Sequence, residues 1–207
     1  MKFLLKFKSK SNRAPTSDRS NRDGFTLVET LLALAIFTIS VVALMAVLSE
    51  GVADTSYAKK KLIAVYLAQE GVEYIRNMRD TFVLYDAGGA QAGWTAFNNN
   101  LTDASACQGV NGCYFGDLNA ADFSDTTQPM IGIVVTACGT NCPTMLYDAT
   151  TGKYNYTTGA SSGYIRKIWI TPANPTNETK VVSKVSWTQG SGTYNITFSE
   201  NLFNWVE

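Results

Sequence analysis

The chain of 207 residues carries 17 basic and 17 acidic side chains and no histidine, which leaves room for one domain of ordinary size and a short list of chemistries. Without histidine the usual general base, the commonest metal ligand and the Ser-His and Cys-His nucleophile pairs are all excluded, so catalysis would have to rest on carboxylates. The balanced charge is unevenly placed: residues 1–24 hold seven basic and two acidic side chains, and the acidic remainder argues against direct nucleic-acid binding, which needs clustered Lys and Arg.

The basic leader ends at Gly24 and an apolar run follows from Phe25 to Leu48, FTLVETLLALAIFTISVVALMAVL. As a helix this run is about 36 Å long, enough to span a bilayer core of about 30 Å. The basic residues precede it and only Glu50 follows closely. The positive-inside rule therefore keeps residues 1–24 in the cytoplasm and exports everything after Ser49. A secretory signal peptide would have a core of about 7–15 residues closed by a small-residue cleavage site. This run is longer, and no A-x-A site closes it. Glu29 is the only charged residue between Phe25 and Leu48. Carboxylates in such segments are rare and usually partnered.

GFTLVETLLALAIFTISVVAL, Gly24 to Leu44, resembles the prepilin motif of type IV pilins and type II secretion pseudopilins. The resemblance implies cleavage of the Gly24–Phe25 bond by a membrane prepilin peptidase, N-methylation of the new N-terminus at Phe25, and a retained glutamate at Glu29. Cleavage would expose an ammonium group at Phe25, and a neighbouring subunit's Glu29 would neutralise it in a helical bundle. Such a pair contributes little certain stability but fixes register, because a staggered pairing leaves buried charges unmatched. Gly24 lacks a side chain and so allows close approach of a protease to the backbone. The leader is longer than those that usually go with a phenylalanine start in this family. The proline that many major pilins carry is missing from Leu44–Gly51.

From 50 to 80 the pattern becomes amphipathic. Ile63, Ala64, Leu67, Ala68, Gly71, Tyr74, Ile75 and Met78 share one face, with Gln69, Glu73, Arg76, Asn77 and Asp80 opposite. One continuous helix from about Phe25 to Arg79 is expected, with Gly71 allowing a sheet to approach closely. Glu70, Glu73, Arg76 and Arg79 read as a solvated face. LAQEGVEYIRNMRD and the terminal NLFNW, Asn201–Trp205, resemble stretches of minor, PilV-like subunits, and Trp205 is expected as a core plug.

Beyond residue 80 the composition turns to Gly, Asn, Thr, Ser and aromatics, which suits short strands and loops. Residues 81–128 read as an irregular insertion in which Phe97–Leu101 ends a helical turn. Strands are expected at Ile131–Thr136, Tyr164–Thr171, Lys180–Trp187 and Tyr194–Phe198. PANP, Pro172–Pro175, marks a loop, and QGSG, Gln189–Gly192, a hairpin.

Cys107, Cys113, Cys138 and Cys142 all fall on the exported side, where an even number points to disulfides. Of the three connectivities, Cys107–Cys113 and Cys138–Cys142 are preferred because each closes a local loop. The C-x5-C and C-x3-C spacings match zinc knuckles poorly. Asp117, Asp122 and Asp125 gather in GDLNAADFSD, where calcium is conceivable but the spacing fits no EF-hand, and a solvated loop is the plainer reading. Paired carboxylates there as a glycosidase site have no other support. The sequons at Asn100, Asn155, Asn177 and Asn195 are about as many as chance gives.

The expected fold is α+β: a long N-terminal helix, apolar then amphipathic, packed on a C-terminal antiparallel meander, the pilin fold. The expected divisions are a leader at 1–24, a membrane or filament-core segment at 25–48, an amphipathic helix at 49–80 and an extracytoplasmic β domain at 81–207. The resemblance implies a structural minor pilin or pseudopilin of a pilus or secretion filament, with no enzymatic role, cofactor or metal. It resides in the cytoplasmic membrane and reaches the cell surface after assembly. Its implied partners are the prepilin peptidase and methyltransferase, other pilin subunits and the membrane assembly platform. The alternative is a single-span anchor carrying an extracytoplasmic binding or sensor domain.

Overall fold

A computed structural model describes residues 24–102, 107–108, 111–115, 135–174 and 177–204. The chain divides into two units, residues 1–50 and 51–207. Helix α1, Leu27–Tyr85, contributes to both. In the first unit its described residues are exposed throughout, apart from a half-buried Val41, and the run has no polar face to turn to water. Among the described residues α1 is also the one helix long and apolar enough to cross a membrane.

In the second unit α1 buries Ala64, Leu67, Ala68, Gly71, Val72, Ile75 and Met78. These positions recur at the three- and four-residue spacing of one helix face, as the sequence pattern predicts. A turn at Asp86–Gly89, with Gly89 at φ 88°, reverses the chain into α2, Ala90–Thr102. The sequence pattern predicts only its end, the turn at Phe97–Leu101. Its inner face, Gly93, Trp94, Phe97, Asn98 and Leu101, carries the helical period, but its outer face is uncharged and Asn-rich, which lowers its helix propensity.

Among the described residues seven antiparallel strands follow: β1 Cys113–Phe115, β2 Val135–Ala137, β3 Thr144–Asp148, β4 Lys153–Asn155, β5 Ala160–Asn174, β6 Glu178–Gln189 and β7 Gly192–Phe203. The last three form the expected meander. The other edge of the long β5 is shared: β3 pairs with its first residues and β1 with Ile168, and β4 and β2 add outside them. Of the expected strand at 131–136, residues 131–134 lie outside the described residues.

Alternation is regular from Tyr164 to Ile170 in β5 and is broken in β6 at Val182, which is buried alongside Val181 and Ser183. Tyr164, Arg166, Ile168 and Ile170 are buried against α1, opposite Trp187, Val185, Ser183 and Val181 in register. Gln189 pairs with Gly192 across a two-residue turn whose Gly190 has φ 58°, so QGSG is the tight hairpin that its glycines favour. The PANP expectation needs correction. β5 runs on through Pro172, partnered by Thr179, with a register shift before Asn174. Proline is tolerated because at this level β5 pairs only with β6 among the described residues, so one edge demands no N–H.

Two apolar clusters fill the space under α1. One gathers Ala64, Leu67, Ala68, Met145, Tyr164, Val185 and Trp187. The other joins Ile75 and Met78 to Trp94, Phe97, Leu101, Phe115, Ile168, Ile170, Val181 and Leu202. Disulfides link Cys107 to Cys113 and Cys138 to Cys142, the two local pairs. All four sulfurs are thus bridged, which leaves no thiolate for zinc.

Glu70, Glu73, Arg76 and Arg79 are not simply a solvated face. Arg76 bridges Glu73 and Glu200 of β7, and Arg79, nearly buried, donates to the Phe203 carbonyl at 2.9 Å. Glu70 accepts from Arg166 at 2.7 Å. The long arginine stems reach past the helix flank to the sheet, a contact that helix periodicity alone does not reveal.

Candidate functional site at the start of the long helix

Residues 24–26 are non-helical and α1 begins at Leu27. The Thr26 carbonyl accepts the first helical hydrogen bond, from Thr30 N at 3.2 Å, which makes Thr26 the N-cap. Its hydroxyl accepts from Glu29 N at 3.3 Å. In return one carboxylate oxygen of Glu29, Oε2, accepts from Thr26 N and from Thr26 Oγ1, both at 3.0 Å. Thr26-Leu-Val-Glu29 is therefore a reciprocal capping box, satisfying two of the donors that a helix start leaves orphaned.

This geometry adds a residue that the sequence reading passed over. Thr26 was readable, since S/T-x-x-E before an apolar run is the capping-box pattern. The Glu29 carboxylate thus has hydrogen-bond partners within its own helix terminus.

Gly24 and Phe25 lie immediately outside the cap. Both are exposed, Phe25 at 80 %, and no described residue stands within 4 Å of where a Gly24 side chain would be. A bond in open, non-helical backbone ahead of a helix is one that a protease can draw into an extended conformation without unwinding the helix. The rest of the leader, residues 1–23, lies outside the described residues.

Residues 19–45 match the family model of the prokaryotic N-terminal methylation motif. The chain carries the type IV pilin and pseudopilin signal. That signal implies processing by a prepilin peptidase and assembly with other pilins in a membrane-associated system. Together with the long apolar helix it fits a type IV pilin-like protein. No curated protein and no solved structure matches the chain.

Other sequence candidates are not brought together with this site. No group of His, Cys, Asp or Glu able to hold a metal occurs among the described residues. Asp117, Asp122 and Asp125 lie outside the described residues, as does Trp205. Of the sequons, Asn155 is engaged in a turn, its side-chain carbonyl accepting from Thr157 N at 2.9 Å and Thr158 N at 2.7 Å.

Proposed function

We propose that the chain is a structural minor pilin or pseudopilin, cut after Gly24, N-methylated at Phe25 and assembled into a pilus or secretion filament through its N-terminal helix. Residues 1–24 are the cytoplasmic leader in this reading. Residues 25–48 hold the precursor in the cytoplasmic membrane and later enter the filament core. The amphipathic helix at 49–80 docks on the exported domain, 81–207. The observation that carries the proposal is the exposed Gly24–Phe25 bond, set directly before a capped and uninterrupted apolar helix inside the matched motif. Its partners are the prepilin peptidase and methyltransferase, other pilins and the assembly platform, and it has no catalytic role of its own.

The mature N-terminus tests it. Mass spectrometry of membrane or filament fractions is expected to show N-methylated Phe25. An intact Met1, or cleavage beyond residue 48, overturns the reading and leaves a single-span anchor carrying an extracytoplasmic domain.

A further inference from the structure

The two apolar clusters under α1 do not merge. Between them, at the level of Gly71, lies a polar layer made by Arg166 of β5 and Ser183 of β6. Arg166 is 1 % exposed, and its guanidinium reaches the Leu67 carbonyl at 3.2 Å and the Glu70 carboxylate at 2.7 Å. It also lies 5.7 Å from the centre of the Tyr74 ring. Neither Arg166 Nε nor Ser183 Oγ has a hydrogen-bond partner among the described residues. A helix side chain at this level has no room: a Cβ on Gly71 would stand 2.5 Å from Ser183 Oγ and 3.2 Å from Arg166 Cδ.

Each property of this layer lowers the cost of parting the helix from the sheet there. Apolar layers resist opening because opening wets them. The buried guanidinium of the Arg166–Glu70 pair regains hydration when it is wetted, which offsets part of the Coulombic loss. Glycine in mid-helix supplies the backbone freedom at which helices bend. The clusters on either side are also unequal. The first presents Ala64, Leu67 and Ala68 from α1, whereas the second presents Ile75 and Met78, is packed by α2 and contains the Cys107–Cys113 bridge.

We infer that the Ala64 cluster opens as a separate cooperative unit, with α1 pivoting at Gly71 while the Ile75 cluster stays closed. The opening breaks the bonds between the sheet and this end of α1: Tyr164 Oη to the Lys60 carbonyl, Lys60 Nζ to the Thr188 carbonyl and Arg166 to the Leu67 carbonyl, each at 3.2 Å, and Gln189 Nε2 to the Ala53 carbonyl at 3.3 Å. The helix segment it frees is the one that leads along the chain to the apolar run. The inference rests on the fold and not on the filament reading.

Native-state hydrogen exchange of the full chain in detergent micelles tests it. Peptides covering 57–70 and 144–156 are expected to exchange at least about tenfold faster than those covering 75–82, 94–101 and 179–183, through an opening short of global unfolding. Arg166→Met, which makes the layer apolar and leaves the half-exposed Glu70 to water, is expected to narrow that gap. Equal protection of the two sets in the wild-type chain overturns the inference, and so does a gap that a folded Arg166→Met variant leaves unchanged. If that variant does not fold, the wild-type comparison alone decides.

Discussion

Thr26 and Glu29 form a reciprocal pair, which separates two roles that the carboxylate would otherwise seem to combine. Capping needs an acceptor at the third helical position, and glutamine serves there as well as glutamate. Neutralising an ammonium group in a filament core needs the charge. Glu29→Gln is therefore expected to keep the helix start and the cleavage after Gly24 but to fail in filament incorporation, and Glu29→Ala is expected to fail there too. Mature N-termini and filament fractions of both variants check this, and normal incorporation of Glu29→Gln would show that charge is not what assembly reads. Thr26→Ala is expected to loosen the first turn by about 0.5–2 kcal/mol, visible as faster amide exchange at 27–30. A second asymmetry lies at Arg166. Glu70→Ala strands a buried guanidinium and is expected to cost about 1–3 kcal/mol, discounted because Glu70 is partly solvated. Arg166→Met is expected to change stability by no more than about 1 kcal/mol, a contrast that urea midpoints will show.

At the scale of elements, legibility follows how much of a segment's partnership is local. The inner face of α1 and the alternation of β5 and β6 are legible because each element buries one side along much of its length, whereas β7 buries only Leu202. The β3–β4 hairpin was not read. Its signal was present in Asp148, whose carboxylate accepts from Thr150 N at 2.8 Å and Thr151 Oγ1 at 2.9 Å, and in Gly152 at φ 71°. Its strands are short, and only Met145 within them is buried, so no run of apolar alternation marks it. For α2 the decisive contact is Gly93, where a Cβ would stand 2.2 Å from the Phe82 carbonyl oxygen of α1. Gly93→Ala is expected to destabilise the fold by about 1–3 kcal/mol despite alanine's better helix propensity, since backbone cannot step aside. A lowered thermal midpoint in micelles is the readout. In the candidate site, Gly24 and Phe25 are found through resemblance, whereas Glu29 stands out already as the one charge in an apolar run. Thr26 follows from local chemistry alone.

For the molecule as a whole, half-buried Tyr74 and buried Tyr164 set an alkaline limit. The Tyr74 hydroxyl is pushed up to about 12, by burial first and then by the charge of Glu70; Tyr164 is pushed up to about 12 by burial and by neighbouring Tyr154. Both are raised above an ordinary value near 10, so the folded state holds these protons longer than the unfolded chain does. Their contribution is fully present below about pH 10 and is lost as the pH rises towards 12. Urea midpoints are expected to fall across that window, and Tyr74→Phe is expected to shrink the fall. Replacing Cys107 and Cys113 together by serine is expected to cost about 2 kcal/mol from loop entropy, more if the buried hydroxyls find no partner. One property of the helix–sheet contact has a consequence in time. The bond from Arg166 to Leu67 joins residues 99 positions apart, so the inner face of α1 is synthesised well before the strands that cover it. At about 5–20 residues per second, a nascent chain carries that uncovered face for roughly 5–20 seconds. A helix that is apolar at one end and half-apolar at the other must therefore be kept from collapsing on itself or its neighbours by something other than its own domain.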